Sequence, residues 1–245
     1  MDLALANKVV LITGASKGIG KQIAQGFYDE GCTIHIVSRS MKNLEAAALE
    51  IAGQEQAQIH LHAEDISSKG VAGRLLDVTG IPDILINNAG VAHNLALVEE
   101  IDSEMLNSVV RDNLLPTFNM MKYTIPIMKK NNSGTIINIS SRAGRRAVPK
   151  LSAYTAAKFA VRGLTESVAK EVENNNIRCI SISPGGVNTE MRRKLFGDED
   201  AGNQQPTSRI INIITKILSE QIQVPNGADV LIVKDKEPII KVPES

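Results

Sequence analysis

The segment Val9-Val10-Leu11-Ile12-Thr13-Gly14-Ala15-Ser16-Lys17-Gly18-Ile19-Gly20 decides how the rest of the chain is read. Its first five residues are apolar or β-branched without alternation, the pattern of a strand buried on both faces. Glycines then follow in the spacing G-x-x-x-G-x-G, and from Ile19 an amphipathic pattern runs to Glu30. Glycines between a strand and a helix accept positive φ and let the backbone approach a pyrophosphate closely. The helix behind them offers free N–H groups and a positive dipole end to that anion. The spacing differs from the general dinucleotide fingerprint G-x-G-x-x-G, and a glycine-rich turn alone also serves as a tight connection. Its place after the first strand of an α/β chain is what makes Gly14, Ser16, Lys17, Gly18, Ile19 and Gly20 a candidate phosphate loop.

Outward from this loop, short apolar runs alternate with amphipathic ones. Val9–Thr13, Thr33–Ser38, Ile59–Leu61, Ile84–Asn87, Thr135–Ser140, Arg178–Ser183 and Val230–Val233 read as seven strands. Between them Ile19–Glu30, Met41–Ala52, Ser67–Thr79, Ser103–Lys130, Ser152–Asn174 and Thr207–Ser219 read as helices. That alternation predicts a single-domain α/β Rossmann fold over residues 1–245: a doubly wound, seven-stranded parallel sheet with helices on both faces. No internal repeat or interdomain linker interrupts it. Phe196–Pro206, rich in Gly, Asp and Gln, reads as a loose lid between a strand and a helix, and 234–245 as a charged surface extension.

Composition narrows the function classes. Lys+Arg and Asp+Glu both total 27 in 245 residues, for zero formal net charge, which argues against a dedicated nucleic-acid or membrane-surface partner. Cys32 and Cys179 stand alone in apolar segments, with neither disulfide nor metal spacing. His60 and His62 share one face of a strand without a third ligand near in sequence, so no metal is expected. Neither a basic, apolar leader nor an uncharged run of bilayer length is present, which makes the cytoplasm the expected compartment.

Tyr154 and Lys158 are four apart on a helical pattern and share a face. A phenol of pKa near 10 exchanges protons poorly at neutral pH, and an adjacent ammonium stabilises its phenolate. Tyr-x-x-x-Lys by itself is common on helix surfaces. Here it stands with Asn87-Asn88-Ala89-Gly90, with Ser141 at a strand end, with Pro184-Gly185 and with the glycine loop. At these separations the chain resembles the single-domain branch of the short-chain dehydrogenase/reductases, NADP(H) type, over roughly residues 7–233.

The resemblance implies that Tyr154 protonates a carbonyl oxygen as hydride arrives from NADPH. It implies that Ser141 bonds that carbonyl, that Lys158 also holds the nicotinamide ribose, and that Asn113 holds a relay water. Asp65 and Ile66 would touch adenine, Asn88, Ala89 and Gly90 the ribose, and Pro184, Gly185, Val187 and Thr189 the nicotinamide side. NAD-specific Rossmann domains carry an acidic residue at the end of the second strand. Here Ser38-Arg39-Ser40 holds no carboxylate, so Arg39 and Lys17 are candidates to neutralise the 2′-phosphate of NADP(H).

Arg142, Arg145, Arg146, Lys150, Arg192, Arg193 and Lys194 fall where a pocket mouth is expected, which suggests a polar or anionic small-molecule carbonyl substrate or simply solvated loops. Met120-Met121 and Met128 read as packing residues, and His93 as a surface residue. A finer similarity, carried by Gly144-Arg145-Arg146, Val168–Val172, Asn188-Thr189-Glu190, Gln205-Pro206 and Asn226-Gly227-Ala228, is to plant NADPH-dependent pterin aldehyde reductases. The 3-oxoacyl reductases are an alternative. Asn132 and Asn175 stand where such enzymes carry basic residues that dock acyl carrier protein, and the Val-Asp-Gly-Gly ending is missing. A cofactor-binding regulator without chemistry is the alternative of another class. Extended-branch nucleotide-sugar epimerases are longer and differ in glycine spacing. A homodimer or homotetramer through the two long helices is expected.

Overall fold

The computed structural model describes residues 5–243. Eight strands form one sheet in the order β3-β2-β1-β4-β5-β6-β7-β8. They are β1 (Val9–Thr13), β2 (Thr33–Ser38), β3 (Ile59–Ala63), β4 (Ile84–Asn87), β5 (Gly134–Ile139), β6 (Ile177–Pro184), β7 (Asp229–Ile232) and β8 (Ile239–Lys241). The first seven run parallel, and β8 pairs antiparallel with β7. The fold is thus the expected Rossmann type with one strand more than the sequence suggested. The chain leaves β7 through Lys234–Lys236, where Asp235 adopts φ 56° and Lys236 N–H bonds Val233 O at 3.3 Å. The segment 234–243 therefore folds back as the end of the sheet instead of trailing across the surface.

Alternate residues along the strands feed two cores. Val10, Ile12, Ile34, Ile36, Ile137, Ile139, Ile180 and Ile182 meet α1 (Gly18–Asp29), α2 (Met41–Ala52) and α9 (Ser208–Leu218). Leu11, Val37, Leu85, Ile136 and Cys179 point the other way, to α3 (Val71–Thr79), α5 (Leu115–Asn131) and α6 (Ser152–Glu171). This two-sided burial is why the strands read as continuous apolar runs. Met120, Met121 and Met128 are buried in the second core, whereas His93 is buried at 7 % exposure, not on the surface.

Two further elements depart from expectation. The long helix breaks at Leu114 into α4 (Ser103–Asn113) and α5. Pro116 lacks the N–H that would bond back to Asp112, and the chain leaves the helix for one residue there, although α5 itself runs on through Pro126. The lid segment is helical: Thr189 Oγ accepts Arg192 N–H at 3.2 Å to start α7 (Glu190–Phe196), and α8 (Asp198–Gly202) follows Gly197. Arg192 joins the two by pairing with Asp200 and lying 4.0 Å over the Phe196 ring.

His35 on β2 faces His60 and His62 on β3. It stacks on His60 at 4.6 Å between centroids, and its Nδ1 lies 3.0 Å from His62 Nε2. Among the described residues no three His, Cys, Asp or Glu are arranged to hold a metal ion. Burial, then the charges of His60 and His62, lowers the His35 pKa to about 4, and burial also lowers that of His62. An unfolded histidine titrates near 6.5, so the unfolded chain binds the extra proton between the two values. Stability from this cluster is therefore full above about pH 6.5 and is lost as the pH falls toward 4. Urea midpoints are expected to drop between pH 7 and pH 5, and His35→Gln to flatten that slope. An identical slope in the variant would refute the assignment.

Candidate active site

The strand order reverses at β1, which lies between β2 and β4. In open α/β sheets the crevice outside the strand ends at such a point is where ligands bind. Thr13 Oγ accepts the N–H groups of Asn88 and Ala89, each at 3.1 Å, and Asn88 Nδ2 donates to Thr13 O at 3.1 Å and Gly14 O at 3.0 Å. These bonds lock the loop after β1 to the loop after β4. Gly14 has φ 66°, and a Cβ on it would lie 2.8 Å from Ala89 Cα. A Cβ on Gly20 would lie 2.4 Å from both Asn88 Nδ2 and Gly14 O. Both glycines are there because the two loops touch. No side chain caps the first turn of α1, whose N–H groups stay available to an anion.

A cleft of about 600 Å³ opens at this point. Gly14, Ser16, Lys17, Gly18, Ile19, Arg39, Asp65, Ile66, Asn88, Ala89, Gly90, Tyr154, Lys158 and Thr189 all line it. A second cavity of about 240 Å³ adjoins it, lined by Ser141, Pro184, Gly185 and Val187, and the two share Ile19, Ala92, Ser140, Tyr154, Thr189 and Met191. The predicted residues come together because they follow the C-terminal ends of successive parallel strands. Gly20 packs behind the cleft, and Asn113 is buried beside it.

Tyr154 packs against Val109, Ala153 and Ala157, bringing α4 and α6 together at the seam between the cavities. Ser141 is the polar side chain that acts on its hydroxyl and favours the ionised phenol. Burial raises its pKa above 10 and outweighs the influence of Ser141, so it is a neutral phenol. The expected lowering by Lys158 is absent. Lys158 Nζ sits 5.8 Å from the Tyr154 ring centroid and donates to Ile139 O at 3.0 Å, and burial lowers its pKa to about 8. Asn113 donates to Val91 O at 2.7 Å and Val109 O at 2.9 Å, while its buried Oδ1 has no partner. A Cβ on Gly90 would lie 2.6 Å from that Oδ1 and 3.1 Å from Lys158 Nζ, so the two polar atoms converge where only a glycine fits.

Other features were not legible in the sequence. Lys17 pairs with Glu190 at 2.9 Å and Arg39 with Asp112 at 3.3 Å, so both basic residues have carboxylate partners at the cleft rim. Glu190, held also by Lys194 at 2.7 Å, has its carboxyl lowered to about 2 by hydrogen bonds to Lys194 and Lys17. Asp65 Oδ1 accepts both the hydroxyl and the N–H of Ser67, at 2.7 and 3.0 Å. Most of the basic cluster at the mouth is neutralised: Arg145 turns inward to Asp229 at 3.1 Å, Arg192 holds Asp200, Arg193 pairs with Asp198 and Lys194 with Glu190. Among the described residues, no helix is long and apolar enough to cross a membrane.

Residues 8–200 match the family model for short chain dehydrogenases. The chain is 32% identical over 218 residues to the NADPH-dependent pterin aldehyde reductase of Arabidopsis thaliana, covering 88% of this chain and 89% of that protein. It is 33% identical over 198 residues to the 3-oxoacyl-[acyl-carrier-protein] reductase of Vibrio harveyi, covering 80% of each. Among solved structures, a 3-ketoacyl-(acyl-carrier-protein) reductase from Brucella melitensis complexed with NADH superposes with a TM-score of 0.85 at 27% identity, over 93% of this chain and 97% of that one. With these motifs at the ends of a doubly wound sheet, the chain belongs to the short-chain dehydrogenase family of oxidoreductases.

Proposed function

We propose that this protein is an NADPH-dependent carbonyl reductase of aldehydes or ketones. The observation that carries the reading is the placement of Tyr154, with Ser141 beside it in the second cavity, at the seam between a dinucleotide-sized cleft and a smaller cavity. The cleft fits the cofactor: glycines cradle its floor, an uncapped helix N-terminus faces it, and Lys17 and Arg39 stand at its rim. NADPH, when bound, supplies the hydride. Gly14 to Gly20 hold the pyrophosphate, and Lys17 and Arg39 take the 2′-phosphate in exchange for Glu190 and Asp112. Asp65 and Ile66 flank the adenine, Asn88, Ala89 and Gly90 the ribose, and Pro184, Gly185, Val187 and Thr189 the nicotinamide side. Ser141 orients the substrate oxygen, and Tyr154, kept protonated by its buried setting, gives that oxygen its proton. Lys158 and Asn113 Oδ1 lead a replacement proton in through water. The exposed Leu106, Leu115, Phe118 and Phe159 on α4, α5 and α6 support a symmetric homo-oligomer through those helices.

Cofactor choice is tested by binding. Titrated by fluorescence, the protein is expected to hold NADPH at least about tenfold more tightly than NADH, since each charge-assisted phosphate contact contributes roughly 1.5–3 kcal/mol. Arg39→Gln is expected to remove most of that difference. Equal dissociation constants for the two cofactors would refute the NADPH assignment. Turnover of an aldehyde and ketone panel that includes an acetoacetyl thioester tests the reductase reading and decides between a free carbonyl and an oxoacyl substrate.

A further inference from the structure

The 240 Å³ cavity on the far side of Tyr154 carries an uncompensated charge. Three arginines line it: Arg142, Arg146 and Arg192. Arg192 is satisfied by Asp200 and by the Phe196 ring. Arg142 and Arg146 are not: among the described residues neither side chain has an ion-pair or hydrogen-bond partner, and no aspartate or glutamate lines the cavity. The contrast with Arg145 is informative, because the residue between them in this run turns inward to pair with Asp229. The remaining wall includes Val148, Leu151, Leu195 and Phe196; Arg142 is half-buried against it and Arg146 stands exposed at its mouth, free to turn to a ligand.

From this we infer that the carbonyl substrate carries a second, anionic oxygen group, a carboxylate or a phosphate, which Arg142 and Arg146 clamp while its carbonyl lies against Ser141 and Tyr154. Two guanidinium forks match the paired oxygens of such a group and donate charge-assisted bonds to it. A cleft lined by charge of one sign also concentrates ligands of the opposite sign. The volume sets the scale. At about 240 Å³ the cavity lies below the usual range for drug-sized ligands, so the substrate is a short-chain or single-ring compound. The inference rests on the reductase reading and narrows its substrate class.

The test uses the full chain with NADPH and matched substrates that differ only in the anionic group: succinic semialdehyde against butanal, 4-carboxybenzaldehyde against benzaldehyde, glyceraldehyde 3-phosphate against glyceraldehyde. Wild type is expected to favour the anionic member of the carboxylate or the phosphate pairs by about 10–100-fold in kcat/KM, expressed in KM, as one or two charge-assisted bonds provide. Which pairs respond identifies the group. The double variant Arg142→Gln/Arg146→Gln is expected to bring that ratio close to one. A second readout needs no turnover: succinate or inorganic phosphate should raise the melting temperature of the wild type and not of the double variant. Equal turnover within every pair overturns the inference and leaves the reductase reading standing. Absence of turnover on all substrates counts against the reductase reading, and the melting shifts then decide whether the anion clamp exists. No shift with either anion overturns the clamp as well.

Discussion

Replacing Tyr154 with phenylalanine is expected to lower carbonyl reduction by about 10²–10⁴-fold, the contribution of a positioned general acid, while the NADPH dissociation constant changes little. The substitution deletes one oxygen in a site whose walls are Val109, Ala153 and Ala157, none of which bonds it. Ser141 keeps its own bond from Ala143 N–H at 3.1 Å, so the loop that presents it stays in place. The loss should therefore fall on kcat. The pH profile adds a second check. Tyr154 stays protonated well past neutrality, whereas Lys158, at about 8, loses its charge as the pH passes that value. Reduction is expected to be steady below pH 8 and to decline above it, with Lys158→Met removing the break along with most of the rate. Stopped-flow mixing with saturating NADPH measures both. A phenylalanine variant that retains more than a tenth of wild-type kcat would exclude Tyr154 as the proton donor.

Asp229→Ala is expected to cost about 3–5 kcal/mol of stability, the usual consequence of leaving a buried charge without its partner. Asp229 is fully buried. One carboxylate oxygen accepts the hydroxyls of Ser181 and Ser183, both at 2.6 Å. The other lies 3.1 Å from Arg145 Nε and 3.4 Å from Arg162 Nε, charge contacts that are poorly aligned as hydrogen bonds. Alanine strands Arg145, whose side chain is only 14% exposed, and takes one of two carboxylate partners from Arg162, which is 12% exposed and keeps Glu166 at 3.0 Å. For a chain of this length the loss corresponds to a fall in Tm of roughly 10 °C. Adding Arg145→Met and Arg162→Met should recover much of it, because a buried ion network is replaceable by apolar groups of similar size. The single change should also loosen Ser141, since Arg162 donates to Gly144 O at 2.9 Å and so pins the turn that follows it. Urea denaturation of the three proteins measures the effect, and a single-variant cost under 1 kcal/mol would mean that the arginines reach water.

The layered fold was readable because each of the first seven strands is apolar on both faces or begins a recognisable loop. β8 was not, since Ile239–Lys241 is three residues long, stands between Pro238 and Pro243, and gains its identity only by pairing with β7. The break at Leu114 had a local signal in Pro116 that a helix-period reading overrode. The short helices α7 and α8 are polar and depend on the Arg192–Asp200 pair, which no periodicity reveals. For the site, residues within motifs fell into the cleft as expected because strand ends bring them there. Their counter-ions did not announce themselves: Lys17 and Glu190 are 173 residues apart, Arg39 and Asp112 are 73 apart. The inward turn of Arg145 was equally hidden, because it depends on a carboxylate on β7.

The central position of β1 has a consequence for synthesis on the ribosome. A nascent chain that has delivered only β1, β2 and β3 holds Val9–Thr13 with one side paired and the other bare, because its second neighbour is β4. An unpaired apolar edge is a template for association with other chains. That edge closes only when Ile84–Asn87, four residues long, has emerged and docked. A translational stall or a truncation ahead of residue 84 thus leaves an apolar central strand open, and the four residues of β4 that lead into the cleft also guard the growing chain against aggregation.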